Sequence, residues 1–279
     1  MSYKTILVHA DKSRHTAQRV RLAAQIALAN EAHLIGAAMS GLSRYAHPDG
    51  SIAPPGAPFP FDLSFLHARA SVALDSFTDS MKQLGVSSYE ARRIDDDPEG
   101  GLIQQSCYTD LLVVGQSDPD ERTPSLIAQL PQYVMLHCVR PVLIVPYAGQ
   151  FDRIGQKIVI GWDASPAATR AIAGAMPLLR HASQVTLAVF NPAAQRDRHG
   201  EQPGADMALY LARHGIAVEV LQQETPLEAG AALLSLATDR AADLLVMGGY
   251  GRLRWREMIL GGATHSILHA MTLPVLMAH

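Results

Sequence analysis

Short runs of apolar residues alternate with longer amphipathic stretches along this chain. In the C-terminal half, Ile158–Trp162, Val185–Phe190, Ala217–Gln222, Leu244–Met247 and Val275–Ala278 read as strands. They are too short for helices and rich in Val, Leu and Ile, as strands buried on both faces are. Between them, helical periodicity predicts a helix capped by Ser165, with Pro166 in its first turn, running to about Arg180. Further helices are expected around Ala205–His214 and from Pro226 to about Arg240. The N-terminal half opens the same way, with a strand at Thr5–His9. Strand–helix alternation of this kind predicts a doubly wound α/β fold with a parallel sheet and right-handed crossovers. In such sheets ligands collect at the carboxyl ends of the strands, where the strand order switches.

The two halves repeat each other. Lys4–Ser13 (KTILVHADKS) matches Gln156–Ser165 (QKIVIGWDAS), Asp110–Gly115 (DLLVVG) matches Asp243–Gly248 (DLLVMG), and Arg140–Val145 (RPVLIV) matches Leu273–Ala278 (LPVLMA). Three anchors in one order mean a duplicated domain, and we divide the chain into 1–150 and 151–279. The offset is 152 positions at the first anchor and 133 at the others, so the first copy carries an insertion. The segment from Ser43 to Asp62, which contains HPDGSIAPPGAPFPFD, accounts for most of it and reads as a solvated loop.

At 279 residues and 48% hydrophobic content the chain suits two domains, each with its own core. A net charge of −3 gives no electrostatic reason to expect nucleic acid or an anionic membrane surface. Cys107 and Cys138 form no C-x-x-C pair, so neither a disulfide framework nor a zinc site is expected. The opening residues leave no room for a signal peptide and no apolar run is long enough to span a bilayer, which predicts a cytoplasmic protein.

The candidate chemistry lies near the C-terminus, in LLVMGGYGRLRWREMILGGAT. Gly248 and Gly251 follow a strand, and Gly261 with Gly262 opens the next helical stretch. Without a Cβ at such positions, backbone N–H groups can approach an anion, and a helix N-terminus adds partial positive charge. The G-x-x-G-x9-G spacing, the D-x-S after the first strand of the copy and the closing PVL strand resemble the universal stress protein family. The chain is similar to two such domains fused head to tail, with the adenine nucleotide alpha hydrolase-like fold and a pseudo-twofold arrangement. The resemblance implies an adenine nucleotide as partner and ligand, ATP in type, with AMP or ADP and an accompanying Mg left open. It makes Asp163 a contact to the nucleoside, Phe190 a backbone contact to adenine, and Met247, Gly248 and Gly251 a floor under ribose and phosphates. Gly261, Gly262, Ala263 and Thr264 would hold the phosphate tail, with the Thr264 hydroxyl replacing the Ser or Thr that the family has where this chain has Gly262.

The first copy lacks the later glycines. After Gly115 it reads QSDPDERTPSLIAQL, and Asp118, Asp120 and Glu121 put negative charge where a phosphate would sit. This copy is expected to have lost the nucleotide, and substitutions around Gln116 to leave affinity unchanged. Asp95–Asp97 reads as a solvated turn, and His265 and His269 as ordinary histidines, so no metal is expected. Arg252, Arg254 and Arg256 offer a phosphate clamp or a solvated basic loop, with Trp255 as an anchor among them. Because family domains dimerise through their last strands, Val142–Val145 and Val275–Ala278 are expected to pair antiparallel within the chain, an intramolecular pseudo-dimer with further homodimerisation left open. No G-x-S-x-G elbow, P-loop or dinucleotide fingerprint is present, and no positioned base was found, so no catalytic residue is assigned. The leading function is a non-catalytic, stress-response nucleotide-binding regulator with an unidentified protein partner. The alternatives are an adaptor that binds no nucleotide and a weak ATPase or phosphotransferase.

Overall fold

The computed structural model describes residues 2–41, 64–121, 129–195, 201–250 and 262–279. The N-terminal half comprises β1 (Thr5–His9), α1 (Thr16–Asn30), β2 (His33–Met39), α2 (Ser64–Leu84), β3 (Tyr89–Ile94), α3 (Pro98–Ser106), β4 (Leu111–Gly115), α4 (Leu130–His137) and β5 (Val142–Val145). The C-terminal half comprises β6 (Lys157–Gly161), α5 (Pro166–Leu179), β7 (Gln184–Phe190), α6 (Ala205–Arg213), β8 (Glu219–Gln223), α7 (Ala229–Asp239), β9 (Leu244–Gly248), α8 (Ala263–Ala270) and β10 (Val275–Ala278).

All ten strands lie in one sheet, ordered β3-β2-β1-β4-β5-β10-β9-β6-β7-β8. Each half is a parallel block with the same order, and the switch points fall between β1 and β4 and between β6 and β9. The blocks join at β5 and β10, which pair antiparallel with Val275 opposite Ile144 and Leu276 opposite Leu143. The expected pairing of the two closing strands is therefore present, and it covers an edge on each block. The fold is α/β, with two repeated halves related by a pseudo-twofold axis through this seam.

The repeated Asp at the head of β4 and β9 has a structural cause. Asp110 accepts the amides of Lys4 and Thr5 at 2.7 and 3.0 Å, and Asp243 accepts those of Gly155 and Lys157 at 2.9 and 3.1 Å. Each carboxylate thus fixes the register of its half's first strand against the fourth. Apolar side chains cover both faces of the sheet. One core packs β1 and β6 against α1, α2 and α5, including Leu22, Phe77 and Ile172; the other packs β4, β9 and β10 against α3, α4, α7 and α8, including Leu102, Met135 and Ile267. Both cores run through the seam. Across it the Tyr3 hydroxyl donates to the Gly174 carbonyl at 2.7 Å, and Gly174 has no room for a Cβ because Pro141 stands 2.7 Å from where it would be.

Ser165 caps α5 as expected, accepting the Ala168 amide at 3.1 Å with Pro166 behind it. β8 begins at Glu219 rather than Ala217, and α7 at Ala229 rather than Pro226. The reason is local: Thr225 donates its amide to Asn191, its hydroxyl accepts the Leu227 amide, and Glu228 holds the N-cap position, so the intervening residues form a turn. Asp95–Asp97 differs from a solvated turn, since Asp97 caps α3 by accepting the Gly100 amide at 2.8 Å and Asp96 is buried. The insertion between Ser43 and Asp62 lies outside the described residues.

Candidate functional site

At the carboxyl end of the C-terminal block, Asp163 follows β6, Phe190 ends β7, and Met247 and Gly248 end β9. Gly262, Ala263 and Thr264 form the start of α8. Met247 aligns with Gly161 in the β6–β9 register, which puts these strand ends side by side. Gly251 and Gly261, together with Arg252, Arg254, Trp255 and Arg256, lie outside the described residues.

Asp163 is half-buried and accepts the Ser165 amide at 3.1 Å, a local turn bond that leaves its other oxygen without a partner among the described residues. Gly248 is required where it stands, because a Cβ there would lie 2.5 Å from the Ala168 nitrogen in the first turn of α5. Close approach of β9 to the start of α5 brings the strand end against helix amides. α8 has Gly262 at its N-cap with no side-chain cap bond and no acidic residue in its first turn, so its own helix does not offset the positive end of its dipole. Gly230 lets α7 approach that same end, with a Cβ there only 2.8 Å from the Ala263 carbonyl.

Thr264 makes a structural bond at this end of the sheet. Its side chain is 2% exposed, and its Oγ1 accepts the Tyr250 amide at 3.0 Å. Through this bond the hydroxyl oxygen ties the backbone after β9 to the start of α8. Tyr250 adopts a left-handed φ of 49°, so this bond holds a turn that β-carbon-bearing residues seldom make. Phe190 is half-buried against the second core, and Met247 is buried.

The same positions in the N-terminal block are filled. Asp11, the counterpart of Asp163, accepts from Arg19 at 2.8 Å, from the Thr16 hydroxyl and from the Ser13 amide at 3.0 Å. Burial would raise its pKa, but Arg19, His9 and these donors hold it well below the ordinary carboxylate range. The Arg19 guanidinium is buried, also donates to the His9 carbonyl at 2.8 Å, and sits against Gly115, where a Cβ would come within 2.4 Å of it. Glu121 accepts the Ser13 hydroxyl at 3.1 Å and the Arg14 amide at 2.8 Å. Asp118 takes the Arg14 Nε at 3.1 Å and meets His15 Nε2 at 2.8 Å. Burial pushes the Asp118 pKa up, and His15, Arg14 and the Asp120 amide together bring it down to about 2. The negative charge expected here is real, and it is satisfied by the donors of the turn after β1.

His15, Asp118 and Glu121 also bring ligand atoms within 4.8 Å of one another. The Arg14 guanidinium shares the same Asp118 oxygen, and its charge opposes a cation at that point. We therefore treat the group as an ion-pair network.

Gln116, the residue after β4, reaches across the seam. Its Nε2 donates to the Leu268 and His269 carbonyls at 2.8 and 3.3 Å, closing the C-terminal end of α8, while its Oε1 accepts the Tyr147 amide at 3.2 Å. Gln116 thus touches the second half directly, at the opposite end of α8 from Gly262. Gly249, its counterpart, packs the other way onto α4, with a Cβ there 2.3 Å from Met135 Sδ. Sequence reasoning missed Arg19, His9 and Gln116. All three left the same trace: the repeat offsets put Ala171, Gly161 and Gly249 in the second copy where the first has Arg19, His9 and Gln116.

Residues 155–279 match the model of the Universal stress protein family. A universal stress protein from Archaeoglobus fulgidus DSM 4304 shares the fold at a TM-score of 0.73, with 17% identity over 98% of this chain and 94% of that one. A functionally unknown protein from Pseudomonas aeruginosa PAO1 does so at a TM-score of 0.59, with 17% identity over 98% and 92%. A universal stress protein crystallised in complex with cAMP covers 53% of this chain and 100% of its own, at 25% identity and a TM-score of 0.39. No curated protein matches the chain. The fold is thus that of universal stress proteins, along the whole chain. No described helix is long and apolar enough to cross a membrane.

Proposed function

We propose that the chain is a tandem universal stress protein, with domains 1–150 and 151–279, that binds one ATP-type adenine nucleotide in its second domain and acts as a stress-response regulator without chemistry of its own. Asp163 contacts the nucleoside and Phe190 the adenine through its backbone. Met247, Gly248 and Gly251 lie under ribose and phosphates, and Gly261, Gly262 and Ala263 receive the phosphate tail. Thr264 contributes by shaping the turn. The observation that carries this reading is the contrast between counterparts: Asp163 holds only the Ser165 amide, whereas Asp11 is locked by Arg19 and Thr16. An uncapped α8 start supports an anion at the same end. In the first domain the equivalent donors already serve Glu121 and Asp118, which supports the loss of nucleotide there. Two free thiols, Cys107 and Cys138, fit a reducing cytoplasm.

Isothermal titration of the full chain with ATP and AMP tests the reading. One site per chain is expected, lost in Gly251→Asp and in Gly261→Glu while circular dichroism stays unchanged. Heats indifferent to both substitutions, or no heat with either nucleotide, would leave the adaptor reading in its place.

A further inference from the structure

A cavity of about 620 Å³ lies at the other end of the sheet from the strand carboxyl ends, where α1 and α5 finish and residues 153–156 lead into β6. That is well inside the range in which ligand pockets fall, about 300–1,000 Å³. Both halves build it. Gln25, Ile26 and Ala29 of α1 line it, and so do their counterparts 152 positions on: Pro177 and Leu178 of α5, and His181 just beyond. Its walls are apolar. Leu22, Ile26 and Leu178 are buried in them, and Ile154 and the Pro177 ring complete them.

Polar groups around the cavity are mostly paired already. Asn30 donates to the Ile26 carbonyl at 2.9 Å and accepts the Tyr3 amide at 3.4 Å, and the Gly155 and Gln156 amides are held by Asp243. Gln25 differs. Its Oε1 is buried with no hydrogen-bond partner among the described residues, while the residue as a whole is only half-buried, so its amide can turn to meet an occupant. An acceptor left in this state costs free energy that a donor recovers. Charge favours a neutral occupant. Among the described residues no Asp or Glu lines the cavity, and its one permanent charge, Arg153, stands exposed at the lip. α1 and α5 both bring the negative ends of their dipoles to this place, and Arg153 complements them. An anion would meet the helix ends and a cation would meet Arg153.

We propose that this cavity binds an uncharged, mostly apolar small molecule carrying one hydroxyl, its hydrocarbon part between Ile26 and Leu178 and its hydroxyl donating to Gln25 Oε1. Because both halves contribute walls, the occupant braces them against each other. The site is separate from the nucleotide reading of the second domain, whose residues lie at the opposite end of the sheet, and stands without it.

Titration of the full chain with 1-hexanol, 1-heptanol and 1-octanol tests this, with 1-methoxyheptane as the isomer of octanol that has no donor. One alcohol per chain is expected, bound about fourfold more tightly for each added methylene. The ether should bind about tenfold more weakly than octanol, for want of one hydrogen bond. Gln25→Leu removes the acceptor and should bring octanol and the ether within about twofold of each other. Ala29→Trp, at an exposed position on the lip, should block both. Octanol should also raise the thermal midpoint of the wild-type chain but not that of Ala29→Trp. Since Ala29 is exposed, its variant keeps the test valid even if Gln25→Leu folds poorly. Failure of octanol to bind the wild-type chain at millimolar concentration would overturn the proposal. So would an ether that binds as well as the alcohol, octanol binding that survives Ala29→Trp, or a preference for the alcohol that survives Gln25→Leu.

Discussion

One buried arginine distinguishes the strand ends of the two halves. Arg19 gathers the Asp11 carboxylate and the His9 carbonyl and covers Gly115, whereas the second copy has Ala171 at that position and no such donor for Asp163 among the described residues. Removing it should leave a half-buried carboxylate without its main partner, so Arg19→Ala is expected to lower stability by about 1–2 kcal/mol, read from urea unfolding. A shift below 0.5 kcal/mol would mean that Asp11 rehydrates freely. His9 gives the N-terminal half a pH dependence of known sign. Its folded pKa of about 4 lies below the unfolded value near 6.5, so between these the unfolded chain binds more protons. Stability should therefore be full above about pH 6.5 and fall as pH drops toward 4, by up to about 3 kcal/mol at 1.36 kcal/mol per pH unit. His9→Gln should flatten that segment of the profile. Asp11 and Asp118, both held below their ordinary range, add their losses only at more acid pH.

Among the elements, α8 concentrates the consequences of the tandem arrangement. Its N-terminal end belongs to the proposed phosphate seat, and its C-terminal end is closed by Gln116 from the other half. Gln116→Leu leaves the Leu268 and His269 carbonyls without that donor, which should cost about 1–2 kcal/mol. By loosening α8 it should also weaken AMP binding severalfold in titration. Unchanged affinity is what the sequence alone leads one to expect, and it would show that the contact carries nothing to the proposed seat. The strands nearest the seam were legible without the structure because they are Val/Leu/Ile-rich runs: β1 and β10 fall on the residues expected, and so does the antiparallel seam, whereas the polar outer strands β3 (YEARRI) and β8 (EVLQQ) give a weaker signal. Gln116 was not legible, since its contact spans 152 residues and a single polar side chain leaves no periodic signal. Arg19 and His9 were hidden for a related reason. Their partners are set by how the β1–α1 turn folds back on the strand ends, a geometry that local pattern does not carry. The bond from the Tyr250 amide to the Thr264 hydroxyl was hidden as well, since the motif that marks Thr264 says nothing of the turn before it.

Taken whole, the molecule is one sheet rather than two domains on a string. Leu143 and Leu276 face each other across the seam, each 0% exposed, and both cores continue from one half into the other. The antiparallel join lets each half bury what would otherwise be an apolar edge strand, and such edges aggregate when bare. Energetic continuity of this kind predicts one cooperative unit: calorimetry should give a single endotherm in which both halves melt together. Leu276→Asp is the sharp test, because a carboxylate there has no partner and no water. It should cost 4 kcal/mol or more, by the rule for an unpaired buried charge. The expected result is loss of the whole folded population, N-terminal signals included. If instead the C-terminal half alone unfolded while the N-terminal half kept its transition, the seam would be a contact between independent domains. The reach of Gln116 into α8 could then carry no influence from one half to the other.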